Sequence, residues 1–180
     1  MKIGKLHCEG YSAGFKKLSL CRNGFPGAFM YSKKVDTSVC KLFFEVLNRT
    51  GKLKLTDTFM SDDFPAYYNA YREVVGKPKN HLLCSWHVIR NWNKHLIHVS
   101  DMSLRNELKR DLLSLQRELD RKEFHDQLTF FKNKYHNRTG CEKFIEYFQA
   151  YYVGRVEMWS LAYRVNLGIN TNMHLENFHR

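Results

Sequence analysis

Leu55-Thr56-Asp57-Thr58-Phe59-Met60-Ser61-Asp62-Asp63-Phe64-Pro65 decides how the rest of the chain is read. Leu55 to Met60 suits a short strand, rich in β-branched and aromatic residues. Two carboxylates, Asp62 and Asp63, follow its end. Phe64-Pro65 then opens a helix expected to run to about Val75, because proline fits the first helical turn, and Gly76 stops it. The next apolar run, His81-Leu82-Leu83-Cys84, is short enough to be a buried strand. Strand, helix and strand in succession predict a mixed α/β fold with a sheet at its centre.

Outward from this unit the pattern changes. On the N-terminal side, Thr37 to Leu47 reads as a helix with Val39, Leu42, Phe43, Val46 and Leu47 on one face, ended by Gly51. Before it, residues 14–32 read as two strands around the turn Arg22-Asn23-Gly24. On the C-terminal side, a long helical region begins at Trp86 and reaches His98. Leu104, Leu108, Leu112, Leu115 and Leu119 form an apolar stripe beyond it, and Phe124, Leu128 and Phe131 continue on another helix. Cys141 to Tyr152 and Arg155 to Tyr163 read as two more helices. The organisation expected is an α/β core over residues 1–98, an all-helical insertion over 99–165, and the start of a closing helix in 166–180.

The chain has 180 residues, of which 43% are hydrophobic, with 13 Phe and 10 Tyr, a composition that can build a core. Its net charge is +11, which points to an anionic partner, most often nucleic acid, or to a basic surface kept for solubility. Five scattered cysteines, Cys8, Cys21, Cys40, Cys84 and Cys141, argue against a disulfide framework and for a reducing compartment, so the Asn-Arg-Thr sequons at Asn48 and Asn137 read as accidental. There is no apolar secretory signal and no apolar run of membrane-spanning length.

The chemistry-bearing residues each admit two readings. Asp62, at a strand end, is placed to hold Mg²⁺ through oxygen, and equally one of Asp62 and Asp63, most naturally Asp63, is placed to cap the following helix. Asn172 can cap a helix beginning at Met173, which puts Glu176 in its first turn. There Glu176 either faces a site or pairs i,i+4 with Arg180. Cys84 and His87 form a Cys-x-x-His pair with His81, His95 and His98 nearby, but structural zinc needs four ligands at paired spacing, and His95 with His98 is one residue too tight. A buried Cys and a hydrogen-bonded His account for that pair without zinc. Trp86, Trp92 and Trp159 read as core anchors, or as stacking platforms where exposed. Basic residues cluster at Lys52 and Lys54, at Lys77 and Lys79, from Arg90 to Lys94, and from Lys132 to Arg138. Such patches, with Lys77, Lys79, Arg90, Lys94 and Arg180 foremost, either contact phosphates without reading sequence or form ordinary solvated faces.

In order along the chain, Phe59-Met60-Ser61-Asp62-Asp63 with Tyr67-Tyr68-Asn69-Ala70, then His81-Leu82-Leu83-Cys84-Ser85-Trp86-His87-Val88 with Arg90-Asn91-Trp92, then Ile169-Asn170-Thr171-Asn172 through Glu176 to Phe178-His179-Arg180, resemble the Mutator-like element (MULE) transposase domain of the DDE superfamily. Gly24-Phe25-Pro26 to Val35-Asp36-Thr37 also fits, so the resemblance covers about residues 24–180. It implies a ribonuclease H-like core with an all-helical insertion before the last catalytic helix. It implies DNA cleavage and strand transfer by two-metal phosphoryl transfer with Mg²⁺ or Mn²⁺, in the nucleus, on double-stranded DNA such as terminal inverted repeats, with a homo-oligomer as one form open to it. By position, Asp62 resembles the second catalytic Asp and Glu176 the catalytic Glu, both as metal ligands, and Cys84 with His87 resembles the family's Cys-x-x-His motif. The family's first catalytic Asp belongs on the first strand. Met1 to Gly14 contains no Asp, and Glu9 is a poor stand-in. The chain therefore reads as a fragment expected neither to cleave nor to join DNA, and a non-catalytic DNA-binding or protein-interaction domain derived from a transposase is the rival reading.

Overall fold

The computed structural model describes residues 28, 30, 32–51, 53 and 55–170. These form two compact units, the first closing at Cys84 and the second running from Ser85 to Asn170. The hairpin expected within 14–32 and the helix expected after Asn172 lie outside the described residues.

The first unit is a small helix-covered parallel sheet. Helix α1 spans Thr37–Arg49, with the Asp36 carboxylate accepting from the Val39 N–H at 3.0 Å. Its end is the predicted one: Gly51 takes a φ of 68°, the left-handed turn that suits glycine. Its buried face is not. Cys40 and Phe44 are the buried positions, whereas Leu42 is 59% and Val46 50% exposed. The helix is thus rolled about 100°, one residue's rotation, from the face its aliphatic stripe predicts. The cause is aromatic. Phe44 meets the Tyr71 ring edge-on at 5.6 Å, and Tyr71 lies 4.6 Å from Phe59. Those large rings contribute more buried area than the smaller Val and Leu side chains.

Strand β1 is Thr58–Ser61, buried along its length, and β2 is Asn80–Leu83. They pair in parallel, Thr58 opposite Asn80 through to Ser61 opposite Leu83. Helix α2, Pro65–Val74, connects them, as parallel pairing requires a crossover. Ala66, Ala70 and Tyr71 turn into the same cluster as Cys40, Phe44 and Phe59. Gly76, with φ 121°, ends the turn after α2. β1 starts three residues later than its sequence predicts, because Thr56 is occupied otherwise: its N–H donates to the Tyr71 hydroxyl at 3.0 Å.

The second unit is helical. Helices α3 (Ser85–Leu96), α4 (Met102–Arg117), α5 (Arg121–Tyr135) and α6 (Glu142–Tyr151) follow in order. Asp101 and Asp120 cap α4 and α5 with carboxylates that accept two backbone N–H bonds each. Leu104, Leu108, Leu112 and Leu115 are buried as their spacing predicts. Leu119, beyond the end of α4, is 58% exposed. Trp159 is the hub of the core, with the Trp92, Phe124, Phe148 and Tyr152 rings at 5.4 to 6.2 Å and its indole N–H donating to the Tyr152 carbonyl at 2.9 Å. The predicted α-helix over Arg155 to Tyr163 is instead two short 3₁₀ helices, Val153–Met158 and Leu161–Tyr163. Arg155 breaks the run with φ −143° and ψ 40°, and the turn it makes lets Trp159 drop into the core.

Arg164 is a charge buried at 3% exposure. Its guanidinium donates to the Ser85 hydroxyl at 3.1 Å, to the Asn170 carbonyl at 3.3 Å and to the Met158 carbonyl. The Ser85 N–H donates to the same Asn170 carbonyl at 3.1 Å. One buried cation therefore ties the first residue of the unit to its last.

Candidate strand-end site

The parallel ladder ends where the Cys84 N–H donates to the Ser61 carbonyl at 2.9 Å. That bond sets the carboxyl ends of β1 and β2 side by side, so Asp62 leaves the sheet beside Cys84. In open α/β sheets such edges gather ligands, because the loops leave the sheet there. Asp62 and Asp63 are half-buried, and Cys84 is fully buried. Burial pushes the Cys40 thiol up, and the negative charges of Asp36 and Asp62 push it the same way, which places the Asp62 carboxylate within electrostatic reach of α1.

α2 begins at Pro65 as predicted, but its N-cap residue is not Asp63. Phe64, at φ −108° and ψ 111°, holds the N-cap position, and no side chain caps the helix. The following proline explains the shift: it forces its predecessor into extended backbone and itself brings no N–H to be capped.

His81 stacks on Tyr68, rings 3.7 Å apart and 6° from parallel, so this histidine serves as a flat aromatic in the first unit. In the second unit, His87 lies in the first turn of α3 with its ring perpendicular to Trp86 at 4.7 Å. His95 stacks on Tyr147 at 3.6 Å, and burial with the nearby His98 and Lys94 holds it below the usual imidazole range. Among the described residues, no three His, Cys, Asp or Glu side chains are grouped to hold a metal ion. Asp62 is a hard oxygen donor of the kind Mg²⁺ or Mn²⁺ prefers. Glu176, the other carboxylate the sequence points to, lies outside the described residues, as does Arg180.

The basic residues predicted to meet DNA are partly engaged within the fold. Lys79 pairs with Asp57 at 2.9 Å, both exposed, and Lys77 is exposed. Arg90 lies over the Trp86 ring at 5.0 Å, and Lys94 is exposed on the last turn of α3. In the cluster from Lys132 to Arg138, Lys132 is exposed, whereas Lys134 and Arg138 are engaged by acids of α4. Lys134 bridges Glu107 at 2.8 Å and Asp111 at 2.6 Å, Arg138 bonds Glu107 at 2.7 Å, and the Tyr135 hydroxyl donates to Asp111 at 2.8 Å. Arg138 and Lys134 hold the Glu107 carboxyl down at about 2.

A different basic face escaped the sequence reading. Lys109, Arg110 and Arg117 stand exposed on the side of α4 opposite its buried leucines. Lys109 and Arg110 are a lone adjacent pair and Arg117 stands seven residues on, so a search for longer runs of Lys and Arg passes over them, whereas plotting α4 at 3.6 residues per turn would have found them.

No helix among the described residues is long and apolar enough to cross a membrane. No family model matches the chain, and neither a curated protein nor a solved structure matches it.

Proposed function

We propose that the chain is a transposase core of the MULE type, a nuclear, ribonuclease H-like domain that binds double-stranded DNA. The observation that supports this most is Asp62 at the carboxyl end of a buried parallel strand, beside Cys84 at the end of the neighbouring strand. The sequence order of Asp62, Cys84-x-x-His87 and Glu176 is the one the resembled family shows. Asp62 and Glu176 are the carboxylates that would hold Mg²⁺ or Mn²⁺, and such ions, when bound, stabilise the attacking and leaving oxygens of a phosphoryl transfer. Met1 to Gly14 hold no Asp to join these two, and a misplacement of about 1 Å already costs ~10²-fold in rate. The chain is therefore read as binding metal and DNA without cutting. The same missing Asp favours the second reading, a non-catalytic DNA- or protein-binding domain derived from such an element.

The test is a Mn²⁺ titration followed by electron paramagnetic resonance, alongside a strand-cleavage assay on duplex DNA. The expected result is Mn²⁺ binding that Asp62→Asn and Glu176→Gln each weaken at least tenfold, with no cleavage by any form. Mn²⁺ binding indifferent to both substitutions would remove the transposase reading. Cleavage abolished by both would show that another residue completes the acidic set.

A further inference from the structure

The outer face of α4 segregates charge in a way the rest of the second unit does not. Its two acids, Glu107 and Asp111, lie on the flank and are neutralised by Lys134 and Arg138. What remains outward is Asn106, Lys109, Arg110, Ser114 and Arg117, which line an open concavity around Leu113. None of the three cations has an ion-pair partner among the described residues. Arg105, the other arginine of the helix, is removed from this set, because its guanidinium donates to the Val99 carbonyl at 2.9 Å. Glu118 closes one end, with its oxygens occupied by the Leu119 and Asp120 N–H groups and by Gln127.

The geometry points to this face as a docking surface for the sugar-phosphate backbone of duplex DNA. Lys109 and Arg117 are eight residues apart, a rise of about 12 Å along the helix. The major groove is also about 12 Å wide, so a helix laid across it sets these cations against phosphates on its two banks. Arg110 adds a third contact. Asn106 and Ser114 offer neutral polar groups between the cations, of the kinds that bond phosphate oxygens. The face has cations and amide or hydroxyl groups but no aromatic ring for stacking, which suits a paired duplex better than a single strand. The surface stands on the charge geometry of α4 alone and does not depend on Asp62.

The experiment measures binding of the full chain to a 20-base-pair duplex by fluorescence anisotropy across a salt series. The variant is Lys109→Gln, Arg110→Gln and Arg117→Gln together. The control, Lys122→Gln, Lys132→Gln and Lys143→Gln, removes three exposed cations elsewhere on the same unit, so the two proteins carry equal net charge. At ~0.9 per phosphate contact, the α4 variant should lose about 2.7 from the slope of log K against log salt, or roughly 500-fold in affinity at 0.1 M salt relative to 1 M. The control slope should change by less than about 1. Equal losses in both would show that total charge and not this face binds DNA, and would overturn the proposal. So would an unchanged α4 variant, or one that loses binding to polyglutamate while keeping DNA, which would assign the face to an acidic protein. Asp62→Asn should keep the full slope, so failure of the metal site and failure of this surface are told apart.

Discussion

Replacing Tyr71 by Phe removes one oxygen from the centre of the first unit and leaves everything else in place. The ring keeps Phe59 at 4.6 Å and Phe44 at 5.6 Å, so no sizeable cavity opens. What is lost is the acceptor for the Thr56 N–H at 3.0 Å and the hydroxyl contact with Thr56 Oγ1 at 3.1 Å. Thr56 Oγ1 retains the Thr58 carbonyl at 3.1 Å, but its amide is left buried, at a residue only 6% exposed. A buried N–H without its partner costs about 1–3 kcal/mol. At 1.4 kcal/mol per factor of ten, protection of the Thr56 amide against hydrogen exchange should fall by roughly 5- to 150-fold. A urea melt of the same variant should show a loss of about 1–3 kcal/mol with unchanged m-value. If the melt shifts by less than about 0.5 kcal/mol and Thr56 exchange does not change, Tyr71 does not anchor the entry to β1, and the account of why that strand starts at Thr58 fails with it.

Two further outcomes are expected in the second unit. Leu108→Ala, at a position 0% exposed, should cost about 2–5 kcal/mol, whereas Leu119→Ala, at 58% exposure, should cost under about 0.5 kcal/mol; comparable losses by thermal melting would refute the packing of α4. Glu107 titrates at about 2 when folded, against an ordinary value of 4.5, so its ion pairs stabilise above pH 4.5 and that contribution is lost as pH falls from 4.5 towards 2. The gap in melting temperature between the natural chain and Glu107→Gln should therefore be full at pH 7 and close at pH 2, and a gap that persists at pH 2 would assign it to packing.

Local chemistry was legible where one residue type decides the outcome. Gly51 and Gly76 stop helices because their φ is positive, and leucines at helical spacing line α4. Legibility failed where distant rings choose. The roll of α1 is set by Phe44 against Tyr71, a contact 27 residues away in sequence, and the 3₁₀ turns before Trp159 are set by where that indole lodges. The strand-end position of Asp62 follows from the βαβ pattern alone. The fate of the basic residues does not, because whether Lys134 faces solvent or Glu107 depends on how α4 and α5 pack.

The Arg164 clasp has an evolutionary meaning. A polypeptide that departs at Ser85 and returns at Asn170 within one hydrogen bond of its start behaves as a cassette: its two ends demand no more room than a tight turn. Sequence coding a segment with such closely placed ends can be enlarged or swapped without respacing the residues that flank it. The helices are then at liberty to vary in length and sequence as long as the two ends stay together. A buried arginine that looks like an expensive eccentricity of packing is, on this view, the stitch that keeps the ends of the helical unit together.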